Sequence, residues 1–477
     1  MKGTKAVLFT RLIWEMHVKL RKGKINRREF IKGVGGAVAA GTGIPFALTS
    51  FARGEDITIP PSERITLGCI GTGGQGTYNM NAFMRIPEVQ VVAVCDIDKG
   101  YANDGGGSWF GRDPSKAIVD NYYAQQNSTG TYKGCTAYSD FRELLARGDI
   151  DAVTVCTPDH WHGTISAAAA QAGKDIYCEK PLVNTIAEGK AVRDTVVRYK
   201  RVLQTGSHER SNDSVRFACE LVRNGRLGKL HTITVNMPNN DPHHLQIMRT
   251  NQPQPVMPVP EGLDYDMWLG PATKAAYTKR RSHFWWRFIL DYGGGEMTDR
   301  GAHIIDLAQF INDADNTGPV EISGAGKIAP GGGIFNAFME YSFECLYANG
   351  VRLVGTCNEP RGLKIEGSNG WIFIHIHGGR LEASSESLLR DQIRPAEIHV
   401  GRSRSHQQNF IDCVKTRRQP FASVEIGHRT ATICHLINIA MLTDRKLKWN
   451  PEKEFIVGDE EANRMLSRPM RSPWYLT

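Results

Sequence analysis

The chain has 477 residues, 41% of them hydrophobic, and 58 Lys and Arg against 50 Asp and Glu, for a formal net charge of +8. Residues 1–52 hold ten Lys and Arg and two Asp and Glu, which accounts for the whole excess and leaves the remainder balanced at 48 against 48. The basicity therefore belongs to a leader and argues against nucleic-acid binding. All ten cysteines lie beyond residue 52 without a C-x-x-C pair, and Cys69, Cys95 and Cys156 sit inside apolar runs. That pattern excludes a disulfide framework and a zinc-ribbon type of metal site.

In chain order, a basic stretch at residues 19–32 comes first, then a run of small apolar residues, then Ser50-Phe51-Ala52. Basic region, apolar core and small-x-small end are the parts of an export signal. Arg27-Arg28, followed by Glu29-Phe30-Ile31-Lys32, resembles the twin-arginine export motif. The expectation is a twin-arginine signal peptide over 1–52, export to the periplasm or beyond, and no stable membrane anchor after processing. The alternatives are an uncleaved anchor or a disordered basic arm. The apolar run is about sixteen residues long, short of the ~20 that a spanning helix needs.

Residues 65–76, ITLGCIGTGGQG, are a short apolar run entering Gly71-x-Gly73-x-x-Gly76. A second apolar run, VQVVAVCD, ends in Asp96, twenty residues beyond Gly76. Strand, glycine turn, helix, strand and terminal acid form the dinucleotide-binding fingerprint. Gly71 permits the tight turn, Gly73 lets backbone approach a pyrophosphate, and Gly76 lets helix and strand pack closely, with Gly74 and Gln75 completing the loop. Asp96 suits ribose hydroxyls and repels a 2′-phosphate, so NAD is favoured over NADP.

From 62 to 206, strands alternate with helices, which predicts a doubly wound parallel sheet, a Rossmann domain. The glycine-rich stretch 101–116 reads as a surface insertion. From 207 to 477 the pattern changes to runs of strands set apart from helices, an α+β domain. Its helices are expected near 211–228, 405–416 and 428–442. Its strands are expected near 229–237, 336–347, 351–359 and 370–376. The stretch 449–474, polar and broken by prolines, is expected to wrap the surface.

Three clusters carry the chemistry. Thr157-Pro158-Asp159-His160-Trp161-His162 follows the strand IDAVTV, and Glu179-Lys180-Pro181 ends the next one. Both sit at carboxyl ends of strands, where doubly wound sheets bind ligands, so Thr157 and Pro158 lie beside the cofactor and Lys180 is directed at the nicotinamide end. A solvated Glu179–Lys180 surface pair is the alternative. The third cluster runs from Gly293 to His303, where Thr298 or Asp299 can open a helix. Asp299 and His303 would then share one face, with Asp306 close to it. Histidine suits proton exchange near neutral pH, and a carboxylate can orient it or bind substrate. A metal at Asp299, His303 and Asp306, or a simple helix cap, are the competing readings. Trp285, Trp286 and Tyr292 suit the apolar face of a sugar or a plain core, and His208, Arg210 and Arg287 are candidate substrate contacts.

IGTGGQG, TPDHWH, EKP and GGGEMTDRGAH, in that order and spacing, resemble the glucose–fructose oxidoreductase/inositol dehydrogenase (Gfo/Idh/MocA) family over nearly the whole mature chain. The resemblance implies a second domain with a large, mostly antiparallel sheet that often mediates homo-oligomers. It also implies that Lys180 holds the substrate hydroxyl, that His303 transfers its proton with Asp299 beside it, and that His162 lies near the nicotinamide. Together with Glu179, these are the site residues the sequence puts forward, with no metal. The expected function is NAD-dependent oxidation of a sugar, glycoside or cyclitol hydroxyl with a tightly held cofactor. A glycoside hydrolase or lyase working through transient oxidation is the alternative, and a non-catalytic binding protein is a third.

Overall fold

A computed structural model describes residues 60–102 and 107–476, so the leader expected over 1–52 lies outside the described residues. The first sheet is built from β1 (Ile65–Ile70), β2 (Val89–Cys95), β5 (Thr136–Tyr138), β6 (Ala152–Val155), β7 (Asp175–Cys178) and β8 (Leu203–Thr205). Its order is β5-β2-β1-β6-β7-β8, and every pairing is parallel. All four residues of β6 and of β7 are buried, as expected when helices cover both faces of a sheet. Helices Asp159–Gln171 and Ile186–Arg198 pack on one face. Helices Gly74–Met84 and Arg112–Ala124 pack on the other. The connections that leave the neighbouring strands β1 and β6 run to opposite faces, which opens a crevice at their carboxyl ends.

The stretch 101–116 does not stand off as a surface insertion. Residues β3 (Tyr101–Ala102) and β4 (Trp109–Phe110) pair as a short antiparallel ribbon that folds back over the glycine loop, and helix Arg112–Ala124 follows at once. Gly111, at φ +107°, donates its N–H to the Thr72 carbonyl at 3.3 Å. The Tyr101 ring stacks on His283 with centroids 3.9 Å apart. Two aromatic residues and one obligatory glycine turn a polar, glycine-rich segment into a cover.

The second sheet has nine strands: β9 (Leu230–Asn236), β10 (Glu321–Ile328), β11 (Phe338–Leu346), β12 (Arg352–Thr356), β13 (Gly362–Gly367), β14 (Gly370–His375), β15 (Leu381–Ala383), β16 (Leu447–Asn450) and β17 (Phe455–Ile456). The order is β15-β14-β13-β9-β12-β11-β10-β16-β17, antiparallel except for β9 with β12. Helices Asp213–Arg223, Gly301–Ile311 and Val424–Thr443 cover one face and share its apolar core.

Two C-terminal elements return to the first sheet. Helix His406–Thr416 places Phe410 edge-on to Phe83 and Tyr177, at 6.0 and 5.9 Å between centroids, and Gln407 donates to the Asn79 side chain at 3.1 Å. Helix Val424–Thr443 has 20 residues, about 30 Å of rise, and joins both cores: Val424 and Ala431 pack in the first, Ile433 to Met441 in the second. The C-terminal stretch follows the surface as expected, yet it is pinned there. Trp474 packs edge-on against Trp161 at 4.8 Å, and Arg471 Nε donates to the Gly270 carbonyl at 2.8 Å. Among the described residues, no helix is long and apolar enough to cross a membrane.

Candidate active site

The crevice at the carboxyl edge of the first sheet widens into a cleft of about 1090 Å³, lined by the glycine loop, Asp96, the loops after β6 and β7, His208, Trp286, Arg287, Asp299, His303 and His377. At one end the backbone leaves no room for side chains. A Cβ at Gly71, whose φ is +79°, would lie 2.6 Å from the Cys156 backbone, and one at Gly76 would lie 1.9 Å from the Gly71 carbonyl oxygen. Gly73 caps helix Gly74–Met84 with no side-chain hydrogen bond, and Tyr101 Oη lies 3.0 Å from where its Cβ would be. Phe110 approaches the corresponding point of Gly74 at 3.7 Å. These features form a cradle for phosphates at a helix start, so the residues present fit a dinucleotide.

Asp96 follows β2 directly. Its Oδ2 accepts from the Thr72 N–H at 2.7 Å and its Oδ1 from the Asp98 N–H at 3.0 Å. Burial pushes its carboxyl above the ordinary value, while these N–H donors favour the ionised form. The Thr72 hydroxyl also donates to Oδ2, at 3.2 Å, so the acid ties the glycine loop to the end of β2, and Oδ1 keeps a further lone pair for a ribose hydroxyl.

Glu179 is buried, and its Oε1 accepts from Asn79 Nδ2 at 2.8 Å and Gln75 Nε2 at 3.2 Å. It fastens the first helix to the loop after β7 and is no solvated partner of Lys180. Thr157 and Pro158 line the cleft at the start of helix Asp159–Gln171. His162 also borders the cleft, but its nitrogens lie 2.7 Å from the Pro181 carbonyl and 2.8 Å from the Thr157 carbonyl. Burial lowers its pKa while the two carbonyls favour the charged form; a neutral ring donates to only one of them, and with both nitrogens turned to carbonyls it has none to offer a ligand.

Lys180 reaches across the cleft. Its Nζ donates to Asp299 Oδ1 at 2.9 Å and to the Asp299 carbonyl at 2.8 Å, and Arg287 Nε lies 3.5 Å from the same carboxylate. Burial disfavours the ionised carboxylate, but Lys180 and Arg287 outweigh it and hold Asp299 well below the usual range. His303 is 7% exposed, and among the described residues its Nδ1 has no hydrogen-bond partner. Burial, then the positive charge of Lys180, keeps this imidazole neutral.

The arrangement corrects several expectations. The helix does not run unbroken from Thr298: a short turn, Glu296–Asp299, ends at Arg300, and helix Gly301–Ile311 begins anew. Asp299 therefore faces Lys180 and is no hydrogen-bonding orienter of His303. Asp306 points away into the core, where its carboxylate takes Arg210 Nε at 2.6 Å and Thr430 Oγ1 at 2.9 Å. Arg210 is fully buried, and it bridges Asp306 and Asp315 because a charge in that position must be paired. This removes Arg210 as a substrate contact and dissolves the metal reading of Asp299, His303 and Asp306. Of the three aromatic residues, Trp286 lines the cleft under the Arg287 guanidinium at 4.5 Å. Tyr292 is core, wedged between Trp268 and His160. The loop 328–335 closes on Asn251, which bonds the Ala329 and Phe335 carbonyls at 3.0 Å each.

Sequence reasoning missed Glu209 and His377, which stand beside His208 and His303, and the Tyr101–His283 cover. Glu209 follows the carboxyl end of β8 and was open to the same edge rule that found Lys180. His377, in the turn between β14 and β15, carried no local signal.

Residues 65–207 match an oxidoreductase family's NAD-binding Rossmann fold, and residues 211–476 match the same family's C-terminal alpha/beta domain. The chain belongs to the Gfo/Idh/MocA oxidoreductase family. The uncharacterized oxidoreductase YrbE of Bacillus subtilis is 26% identical over 190 residues, 40% of this chain and 49% of its own. A glycosyl hydrolase family 109 protein of Shewanella baltica is 25% identical over 218 residues, 43% of this chain and 44% of its own. The chain thus spans about half the length of the curated relatives it matches. In fold it is similar to the WlbA dehydrogenase of Bordetella pertussis in complex with NADH and UDP-GlcNAcA, at a TM-score of 0.56 and 15% identity over 81% of this chain and 99% of that one.

Proposed function

We propose that this protein is an exported, NAD-dependent oxidoreductase that acts on a hydroxyl of a sugar, glycoside or cyclitol and holds its cofactor through turnover. The observation that carries the reading is Lys180, locked on Asp299, facing the same cleft as the neutral His303, with a dinucleotide cradle at the other end. When bound, the nicotinamide supplies a hydride acceptor. His303 takes the hydroxyl proton, for which a neutral imidazole with an unpartnered nitrogen is suited. Lys180 holds that hydroxyl and stabilises the negative charge growing on its oxygen, and Asp299 keeps the ammonium aimed. Trp286 offers an apolar face to the ring. Residues 62–206 hold the dinucleotide, residues 207–477 bind substrate, and the nine-stranded sheet is the surface on which a homo-oligomer forms.

The glycosyl hydrolase family 109 relative supports a second outcome, in which oxidation is transient and the sugar loses its aglycone before the hydride returns. Incubating the purified protein with a panel of sugars and glycosides separates the two: keto or lactone products mean net oxidation, and free aglycone with no net oxidation means hydrolysis. Neither product from any member of the panel would overturn the proposal. Export rests on Arg27-Arg28, and replacing both with lysine should leave precursor in the cytoplasm on fractionation. Unchanged export would point to another route.

A further inference from the structure

We propose that His208, Glu209 and His377 bind a divalent transition-metal ion at the rim of the cleft beside His303. His377 Nδ1 lies 3.1 Å and His208 Nε2 lies 3.5 Å from one oxygen of Glu209, Oε1. All three ligand atoms lie within 4.8 Å of one another. Zinc with nitrogen and oxygen ligands at about 2.0–2.1 Å, tetrahedral, sets its ligand atoms about 3.3 Å apart. The three side chains are thus close to coordinating positions before any ion is added.

The surroundings favour a metal over a plain ion pair. Without one, two imidazoles crowd a single carboxylate oxygen, and a third, His303, lies 4.9 Å from the His208 ring and 5.6 Å from the His377 ring. One divalent ion satisfies the carboxylate and leaves both imidazoles neutral. The backbone is shaped to this end: His377 has φ +65°, and its own N–H donates to Glu209 Oε1 at 3.2 Å, which brings the ring to the same oxygen. Glu209 is buried, whereas the two histidines are half exposed, so three protein ligands leave positions open toward the cleft, as in catalytic two-histidine, one-carboxylate sites. A second grouping, Asp241 with His243 and His244, lacks this character, because Arg300 and Arg361 already neutralise Asp241.

An open position beside His303 suits an oxygen of the substrate, a use that rests on the sugar-oxidising reading. Metal binding itself does not rest on it. The full chain is stripped with chelator, reloaded with Zn²⁺ or Co²⁺, freed of excess, and its metal content and cobalt absorption are measured without substrate. The expected result is one ion per chain in wild type and in Asp241→Asn. Affinity should fall by more than about 100-fold in Glu209→Gln and His377→Ala, beyond the ~10–100-fold that an outer partner costs. Retained dinucleotide in His377→Ala, which lies in an exposed turn, reports that the variant is folded. No ion in wild type, or undiminished binding in folded His377→Ala, would overturn the site. Absence of sugar oxidation by a metal-loaded protein would overturn the activity and leave the metal site standing.

Discussion

Lys180 Nζ makes two contacts to one residue, Asp299: the carboxylate at 2.9 Å and the backbone carbonyl at 2.8 Å. The two residues come from different sheets' worth of chain, 119 positions apart, and their meeting closes the cleft floor. Lys180→Met and His303→Ala should each lower kcat by about 10² or more, the usual size of a lost electrostatic or acid–base contribution. Dinucleotide affinity should change little, because the cradle lies at the other end. Steady-state kinetics beside a binding titration decide it, and near-wild-type turnover in either variant would remove that residue from the mechanism.

Asp96 has two jobs that substitution separates. Asp96→Ser with Ile97→Arg removes the charge that repels a 2′-phosphate and adds one that attracts it, so preference should move toward NADP. Because Asp96 also holds the Thr72 N–H, NAD affinity should fall at the same time. Binding titrations with both dinucleotides test this, and a wild type that already prefers NADP would defeat the argument.

Tyr101 covers the glycine loop and stacks on His283. Wild-type protein, denatured after purification, should release close to one nicotinamide dinucleotide per chain. Tyr101→Ala should release it during purification, and a variant that retains as much as wild type would show that the ribbon does not gate release.

Arg210 sits with no exposure between Asp306 and Asp315. Arg210→Met strands a buried carboxylate and should cost about 3–5 kcal/mol of stability. Denaturant unfolding measures it, and a loss below about 1 kcal/mol would mean the pair is not buried in solution.

Burial pushes Glu188 from an ordinary value near 4.5 up to about 7, against donors that include the Asn184 N–H. The folded state therefore prefers the protonated acid. Its contribution to stability is full below pH 4.5, is lost as pH rises toward about 7, and is constant above that. Glu188→Gln should remove this dependence, so wild type should lose ground to the variant between pH 4.5 and 7 in thermal unfolding. A difference in Tm that is the same at pH 5 and pH 8 would refute the shift.

The sequence by itself determined the parts whose chemistry is local. A tight turn at Gly71 and a close approach at Gly76 tolerate no side chain, so the glycine spacing specifies the cradle without knowledge of the rest of the chain. Continuous apolar runs such as AVTV and DIYC announce parallel strands, and the edge rule then aims Lys180 at the cleft. What depended on long-range packing was decided only in three dimensions. The break at Arg300 turned Asp299 from His303 to Lys180, and the pairing of buried Arg210 drew Asp306 out of the site. Short strands such as β5 and β15 left no clear period. The cover at Tyr101 and the meeting of His377 with His208 and Glu209 join segments about 170 residues or more apart. Such contacts form because a folded backbone brings them together, and no local pattern of residues encodes that proximity.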